Sequence, residues 1–480
     1  MYNYLFARSL LFLASFLLSC NILLANMQTD SVIVYAKVRS KQDNQISFSD
    51  WRSFPTRTVA SLSSKLSNQK SITNKYGSQQ NIKTKSTGFF RTEKINGKWW
   101  SIDPDGFAGL HIAVNSIQQG KSDRNIKAFK TVFGNDFSWI KATLDTLSSR
   151  GFNGAGSWSD TDAIIAYNKS SKKPIAYSVM LNMMSEYGNK RGGTYQEAGH
   201  KGYPKNTIFV FDPEFEVFCD QFAQKIVKYR NDQNLYGYFT DNELPFSLKN
   251  LESYLSLPQT DLGFQAAKKW LSSRNVEPQN ISDQDRADFL GYIADKYFAT
   301  VSASIKKYDP NHMILGSRFY TGEKNVQQFM ESAGKYIDVV SVNYYGTWTP
   351  SQQSMKNWEK WSGKPLIITE FYVKAEDSGL PNQSGAGWVV KTQNDRGLFY
   401  QNYCLSLLES KSCIGWHWFK FQDNDPKYTK ADPSNNDANK GIVNNDYQFY
   451  SPLLKSFKDL NINSYLILEY FNKNNDVKQK

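Results

Sequence analysis

Two glutamates stand at the ends of apolar runs with strand character. Glu243 closes Leu235-Tyr-Gly-Tyr-Phe-Thr-Asp-Asn-Glu243, and Glu370 closes Pro365-Leu-Ile-Ile-Thr-Glu370. A carboxylate at the C-terminal end of a buried parallel strand lies at the mouth of the sheet, not in its core. Two carboxylates that face each other across such a mouth can cleave a glycosidic bond. One protonates the leaving oxygen; the other attacks the anomeric carbon or activates water. A gap of about 5–5.5 Å favours attack and retention, and a wider gap favours inversion. A lone glutamate after a strand is more often a cap or a solvated residue, so the weight falls on the elements around the pair.

Those elements alternate. Ala108–Asn115 reads as strand one, followed by helical periodicity over 137–147. A short strand two lies in Gly151-Phe-Asn-Gly-Ala-Gly-Ser-Trp158, and strand three in Ile175–Asn182. Asp212-Pro213-Glu214 opens a helix with a cap, a proline at its first position and an acid in its first turn, running to about Tyr229. Tyr236–Thr240 is strand four, 283–308 is mostly helical, and His312–Phe319 is strand five. Strand six runs from Tyr336 into Asn343, strand seven covers Leu366–Thr369, a helix covers 397–408, and strand eight is Cys413–Phe419. Eight strand–helix units in series predict an α/β fold of the (β/α)8 TIM barrel type. A doubly wound open sheet would more often carry a glycine-rich phosphate turn after its first strand, and none is present.

The barrel reading gathers polar residues onto one rim: Asn115, Trp158, Asn182, Asn242 with Glu243, Arg318, Asn343 with Tyr344 and Tyr345, Glu370 and Trp418. Ahead of the barrel, two alternating runs flank Asn96-Gly97, a strong hairpin signal. The domain reading is a targeting segment over 1–26, a polar N-terminal extension over 27–87 with one strand-like piece at 31–38, the catalytic barrel over 88–450, and a C-terminal helix or tail over 451–480.

Asn242-Glu243 after strand four and Glu370 after strand seven resemble the clan A retaining glycoside hydrolases. The wider chain, from about 88 to 430, is similar to the β-agarases of glycoside hydrolase family 50. Three segments carry that likeness: Gly97-Lys-Trp-Trp-Ser-Ile-Asp-Pro-Asp-Gly106, Gly237-Tyr-Phe-Thr-Asp-Asn-Glu243, and Ile368-Thr-Glu370-Phe with Gly415-Trp-His-Trp-Phe419. The resemblance implies Glu243 as acid/base, Glu370 as nucleophile, and Asn242 as a contact to the hydroxyl beside the anomeric carbon. It also implies a β-linked red-algal galactan of the agarose type as substrate. A sulfated galactan such as porphyran or carrageenan, where arginine and lysine pair with sulfate, stays open.

Chemistry sets further expectations. Glu243 must hold a proton near neutral pH and Glu370 must stay ionised, with Arg318 or Tyr344 donating hydrogen bonds to it. Trp158, Trp348, Trp416 and Trp418 are candidates to stack on sugar rings. Trp416 and Trp418 share a face by period two, with His417 opposite; Trp418 is expected in the cleft and Trp416 deeper. His111, within strand one, is expected to be a hydrogen-bonded core residue. Two glycine-rich loops, 189–204 and 378–387, are expected to shape specificity.

Composition narrows the classes. Hydrophobic content of 40% against 21% charged excludes a disordered chain. The net charge of +12 attracts polyanions, but no dense basic block marks a nucleic-acid partner. Four histidines and the spacing of Cys219, Cys404 and Cys413 fit no metal pattern, so neither metal nor cofactor is expected. Cys404 and Cys413 are either buried thiols or a bridge. Arg8 precedes an apolar stretch, 10–18, that ends in Leu17-Leu-Ser-Cys20, which resembles a lipobox. An ordinary secretory signal cleaved near Ala25, which discards Cys20, is the other reading; either one exports the protein, to the periplasm or, through a lipid anchor on Cys20, to the outer-membrane surface. A surface glycan-binding lipoprotein that kept the barrel without activity is the alternative outside enzymes.

Overall fold

The computed structural model describes residues 31–42, 45–66, 71–192, 202–430, 432 and 435–477. The targeting segment, Cys20 and residues 193–201 of the first glycine-rich loop lie outside the described residues. Among the described residues no helix is long and apolar enough to cross a membrane.

Eight parallel strands form the central sheet, in chain order His111–Val114, Gly154–Ala155, Ala176–Met180, Leu235–Phe239, Met313–Ile314, Val340–Asn343, Leu366–Glu370 and Cys413–Trp418. They are called barrel strands one to eight here. Each pairs in parallel with its sequence neighbour, and strand eight pairs back onto strand one through Trp416–Ile112 and Trp418–Val114. Strands five and six meet at a parallel bridge, Phe319 to Val342, where Phe319 donates to Ser341 and accepts from Asn343. The ring is therefore closed. Strand five is shorter than its sequence suggests because Gly316 and Arg318 both take positive φ and break the ladder before Phe319 rejoins it.

Two apolar layers hold the ring. Inside, Tyr236, Phe239, Met313, Leu315, Val339, Ile367 and Ile414 fill the barrel. Outside, the other face of each strand packs on the helices in a second, larger cluster. The 26-residue helix Asp283–Tyr308 starts at a capping box between Ser282 and Asp285. The helix opened by Asp212 runs only over Pro213–Ala223 before tightening into a 3-10 turn, Gln224–Tyr229. Helices Ser451–Asn461 and Ser464–Val477 cover the helix Gln393–Glu409.

The segment before the barrel plugs its N-terminal end. Arg91–Ile95 and Lys98–Ile102 pair around Asn96-Gly97, both at positive φ, and Ala108–Gly109 adds a third strand to this small sheet. Phe90 packs on Tyr236 at 5.3 Å and on Tyr76 at 5.5 Å.

The polar N-terminal region holds more order than one strand. Ser31–Gln42 and Gln45–Arg57 form an antiparallel hairpin, and Ala36 of the hairpin pairs with Val390 in the segment after strand seven. Phe54 stacks on Trp348 at 5.0 Å and lies 5.2 Å from Trp388, while the Trp348 indole N–H donates to Thr56 Oγ1 at 3.0 Å. Trp348 is buried in this joint and is not a sugar platform. Cys219, Cys404 and Cys413 are buried free thiols, so Cys404 and Cys413 do not pair.

Candidate active site

Five strand ends turn through the left-handed backbone region on non-glycine residues: Ser116, Trp158, Asn182, Glu243 and Arg318, with φ of 54, 57, 57, 51 and 54°. Each such residue costs on the order of 1 kcal/mol against an extended one, and strain of this kind gathers where function needs a side chain aimed. Four of the five were expected on the rim from sequence. The turn at Glu243 is tied sideways, its N–H donating to Ser317 O at 3.0 Å on the neighbouring strand end.

Glu370 ends strand seven and is 6% exposed. One carboxylate oxygen accepts from the Arg318 guanidinium, and the other accepts from the Tyr345 hydroxyl at 2.7 Å. Arg318 is fully buried, with its guanidinium 4.4 Å from the Trp158 ring centre and 5.3 Å from that of Phe239. Burial and the nearby Glu370 charge push the Tyr345 hydroxyl well above its ordinary range, so it donates rather than ionises. Tyr344 does not hold Glu370. Its ring packs against Trp358 and Tyr403 in the helix layer, and Tyr345 takes the place expected of it.

Glu243 is half-buried and accepts from Asn343 Nδ2 at 2.6 Å; the same amide group lies 3.3 Å from Asn242 Oδ1. Thr369 Oγ1 donates to Asn343 Oδ1 at 2.8 Å, which fixes the amide so that its N–H groups face the two rim residues. Thr369 immediately precedes Glu370, so the strand-six asparagine couples the positions of both glutamates. Their charges act on each other across the mouth.

Burial pushes the Glu370 carboxyl up to about 7; Arg318 opposes this, Glu243 adds to it, and Tyr345 opposes it. A group that must be ionised to react loses activity as pH falls through its own pKa. We expect kcat/KM to fall on the acid side with a midpoint raised above the ordinary carboxylate range, because burial disfavours the charged form of Glu370. Tyr345→Phe removes one hydrogen bond to the charged form. It should move that midpoint upward and lower kcat about tenfold, while Tyr344→Phe leaves both unchanged. A pH–rate series on the three proteins checks this.

Asp241 is a site residue that the sequence pattern does not single out. It is fully buried, and accepts from Met184 N at 2.9 Å, Ser185 N at 3.2 Å and the Tyr297 hydroxyl at 2.5 Å. It caps the helix Met183–Arg191 from a different loop, locking the strand-three and strand-four rims together. Burial raises it to about 7 against these hydrogen bonds. Its only sequence signal was its place between Thr240 and Asn242.

Other expected residues divide. Trp158, Asn182 and Asn242 are partly exposed on the rim, as a ligand contact needs. Asn115 is fully buried and its Nδ2 donates to Thr369 O at 2.8 Å, a tie between strands one and seven below the mouth. Trp418 is not in the cleft. It is fully buried among Phe371, Tyr400 and Phe457, with its indole N–H donating to Lys440 O at 3.1 Å. Trp416 lies on the same outward face and donates to the Tyr400 hydroxyl at 2.8 Å. His417 points inward to His111, 2.9 Å between nitrogens, and His111 stacks on Tyr236 at 3.8 Å. Burial lowers His111 to about 4, so this pair is neutral core. The aromatic that reaches the mouth from strand eight is Phe419, half-buried and 6.1 Å from Trp158.

The loop at 378–387 is tied down. Asn382 is buried and donates to Ala375 O, and Ser384 N donates to Asp437 at 2.9 Å. Among the described residues no group of three or more His, Cys, Asp and Glu could hold a metal ion.

No family model matches the chain. β-Agarase B of Vibrio sp. (strain JT0107) is 25% identical over a gapped alignment 493 positions long that covers 80% of this chain and 49% of that protein. β-Agarase A of the same strain is 30% identical over a gapped alignment 378 positions long that covers 68% of this chain and 36% of that protein. The chain thus spans half or less of the length of these two relatives. A crystal structure of BpGH50 superposes with a TM-score of 0.79 at 29% identity, covering 92% of this chain and 96% of that one. The agarase AgWH50C has a TM-score of 0.68 at 21% identity, covering 82% and 67%, and shares the fold. The chain is therefore similar in sequence to proteins named β-agarases, and in sequence and fold to BpGH50.

Proposed function

We propose that this protein is a glycoside hydrolase that cleaves β-galactosidic linkages of an agarose-type galactan by double displacement. Glu370 attacks the anomeric carbon and forms a glycosyl-enzyme, displacing the aglycone oxygen. Glu243 gives that oxygen its proton, then takes a proton from the water that releases the sugar. Asn242 contacts the hydroxyl next to the anomeric carbon, and Trp158 with Phe419 offers apolar surface to the C–H face of a ring. No cofactor enters this chemistry. Protein found outside the cytoplasm, anchored through Cys20, would meet such a polymer directly.

The single observation that carries this reading is the geometry around Glu370. A buried carboxylate held by one arginine and one tyrosine, in electrostatic reach of a half-exposed second glutamate, is arranged for reaction rather than for fold stability. The similarity to proteins named β-agarases supports the choice of substrate.

Incubation with agarose, porphyran and carrageenans, followed by product analysis, tests it. Neoagaro-type oligosaccharides from agarose are expected. Release from the sulfated polymers alone would move the substrate class, and release from none would favour a glycan-binding protein.

A further inference from the structure

The N-terminal hairpin does more than brace the barrel. Its ladder carries a β-bulge: Lys37 pairs with Trp51, but Arg39 pairs with Phe48, so the second strand holds one extra residue between these pairs. A bulge bends a ribbon and re-aims the side chains beyond it, and bulges gather beside active sites. Here it directs the Arg39–Phe48 end of the hairpin over the segment leaving strand seven. Phe48 lies against Lys374, whose Nζ is 4.6 Å from the ring centre, four residues beyond Glu370.

Arg39 is half-buried, and its Nε is shielded from solvent with no acceptor among the described residues. Among the described residues it has no ion-pair partner, although Lys37 on the same strand finds Glu376 at 2.8 Å. Its charge reaches Tyr320. Tyr320 is itself half-buried, feels both Glu243 and Glu370, and its ring meets Tyr345 edge-on at 6.0 Å. A guanidinium whose shielded Nε lacks an acceptor, held by a bent hairpin within electrostatic reach of Tyr320, is costly unless something else supplies its acceptors.

We infer that Arg39 is a substrate-binding residue, delivered to the cleft by the N-terminal hairpin, that donates to closely spaced oxygens of the galactan chain. This rests on the galactan hydrolase reading. The acceptors are either hydroxyl and ring oxygens of a neutral chain or the oxygens of a sulfate ester; both suit the planar fork of arginine. A charge-assisted contact of this kind, lost without loss of the catalytic pair, weakens binding about tenfold or more.

The test compares wild type, Arg39→Met and Arg39→Lys on agarose and porphyran oligosaccharides, with thermal melting of each protein. A KM raised about tenfold or more in Arg39→Met with little change in kcat, partial recovery in Arg39→Lys, and an unchanged Tm support the inference. A greater loss on porphyran identifies sulfate as the acceptor, and an equal loss on agarose identifies the neutral chain. An active wild type with unchanged KM in Arg39→Met, or a lowered Tm with unchanged KM, overturns it. A wild type inactive on every galactan sinks the hydrolase reading, and this inference with it.

Discussion

Glu370→Gln is expected to lose at least about 10^4-fold in kcat on agarose oligosaccharides while still binding them. The amide is almost the same shape, so the cleft keeps its form, but it cannot form the glycosyl bond. The substitution has a structural cost as well. Arg318 is fully buried and its charge-bearing partner would be gone. Removing one member of a buried pair typically costs about 3–5 kcal/mol. Glu370→Asp separates the two effects. It keeps a negative charge near Arg318 but draws the carboxylate back, and a displacement of about 1 Å already costs about 10^2-fold. A folded Glu370→Asp with near-normal kcat would contradict the nucleophile assignment.

Glu243→Ala is expected to lose about 10^2- to 10^4-fold on natural linkages and much less on an aryl galactoside with a good leaving group. A poor leaving alkoxide needs the proton; a stabilised phenolate does not. Added azide should then speed the second step, because a small anion attacks the glycosyl-enzyme without a general base. Glu243 is half-buried and accepts from the Asn343 amide. Equal losses on both substrate types, with no response to azide, would place the proton donor elsewhere.

The sequence carried the barrel because its strands are buried on both faces and its helices announce themselves at their ends, as Ser282 and Asp285 do for the long helix. The two glutamates were legible for the same reason: a charged residue ending an apolar strand has few places to go. The second hairpin strand was not legible. Its bulge between the Trp51 and Phe48 pairs breaks the two-residue alternation, and Pro55 argues against a strand. Pro55 is tolerated because this strand lies at the sheet edge.

Adjacent residues were the harder problem. Period two placed Trp416 and Trp418 on one face and His417 on the other, and the structure keeps that relation. It could not say which face looks inward, and the inward place went to His417, which pairs with His111 across the barrel. The choice between Tyr344 and Tyr345 likewise depends on one backbone step past the end of strand six. Asp241 and Asn343 act through contacts from distant loops, which no local pattern encodes.

The most direct measurement is mass-spectrometric mapping after inactivation with a slow 2-deoxy-2-fluoro galactosyl substrate. One added sugar is expected, on the peptide carrying Glu370, formed in wild type and absent in Glu370→Gln. A label on any other residue, or turnover through a fully active enzyme that never accumulates a glycosyl adduct while releasing the inverted anomer, would contradict it.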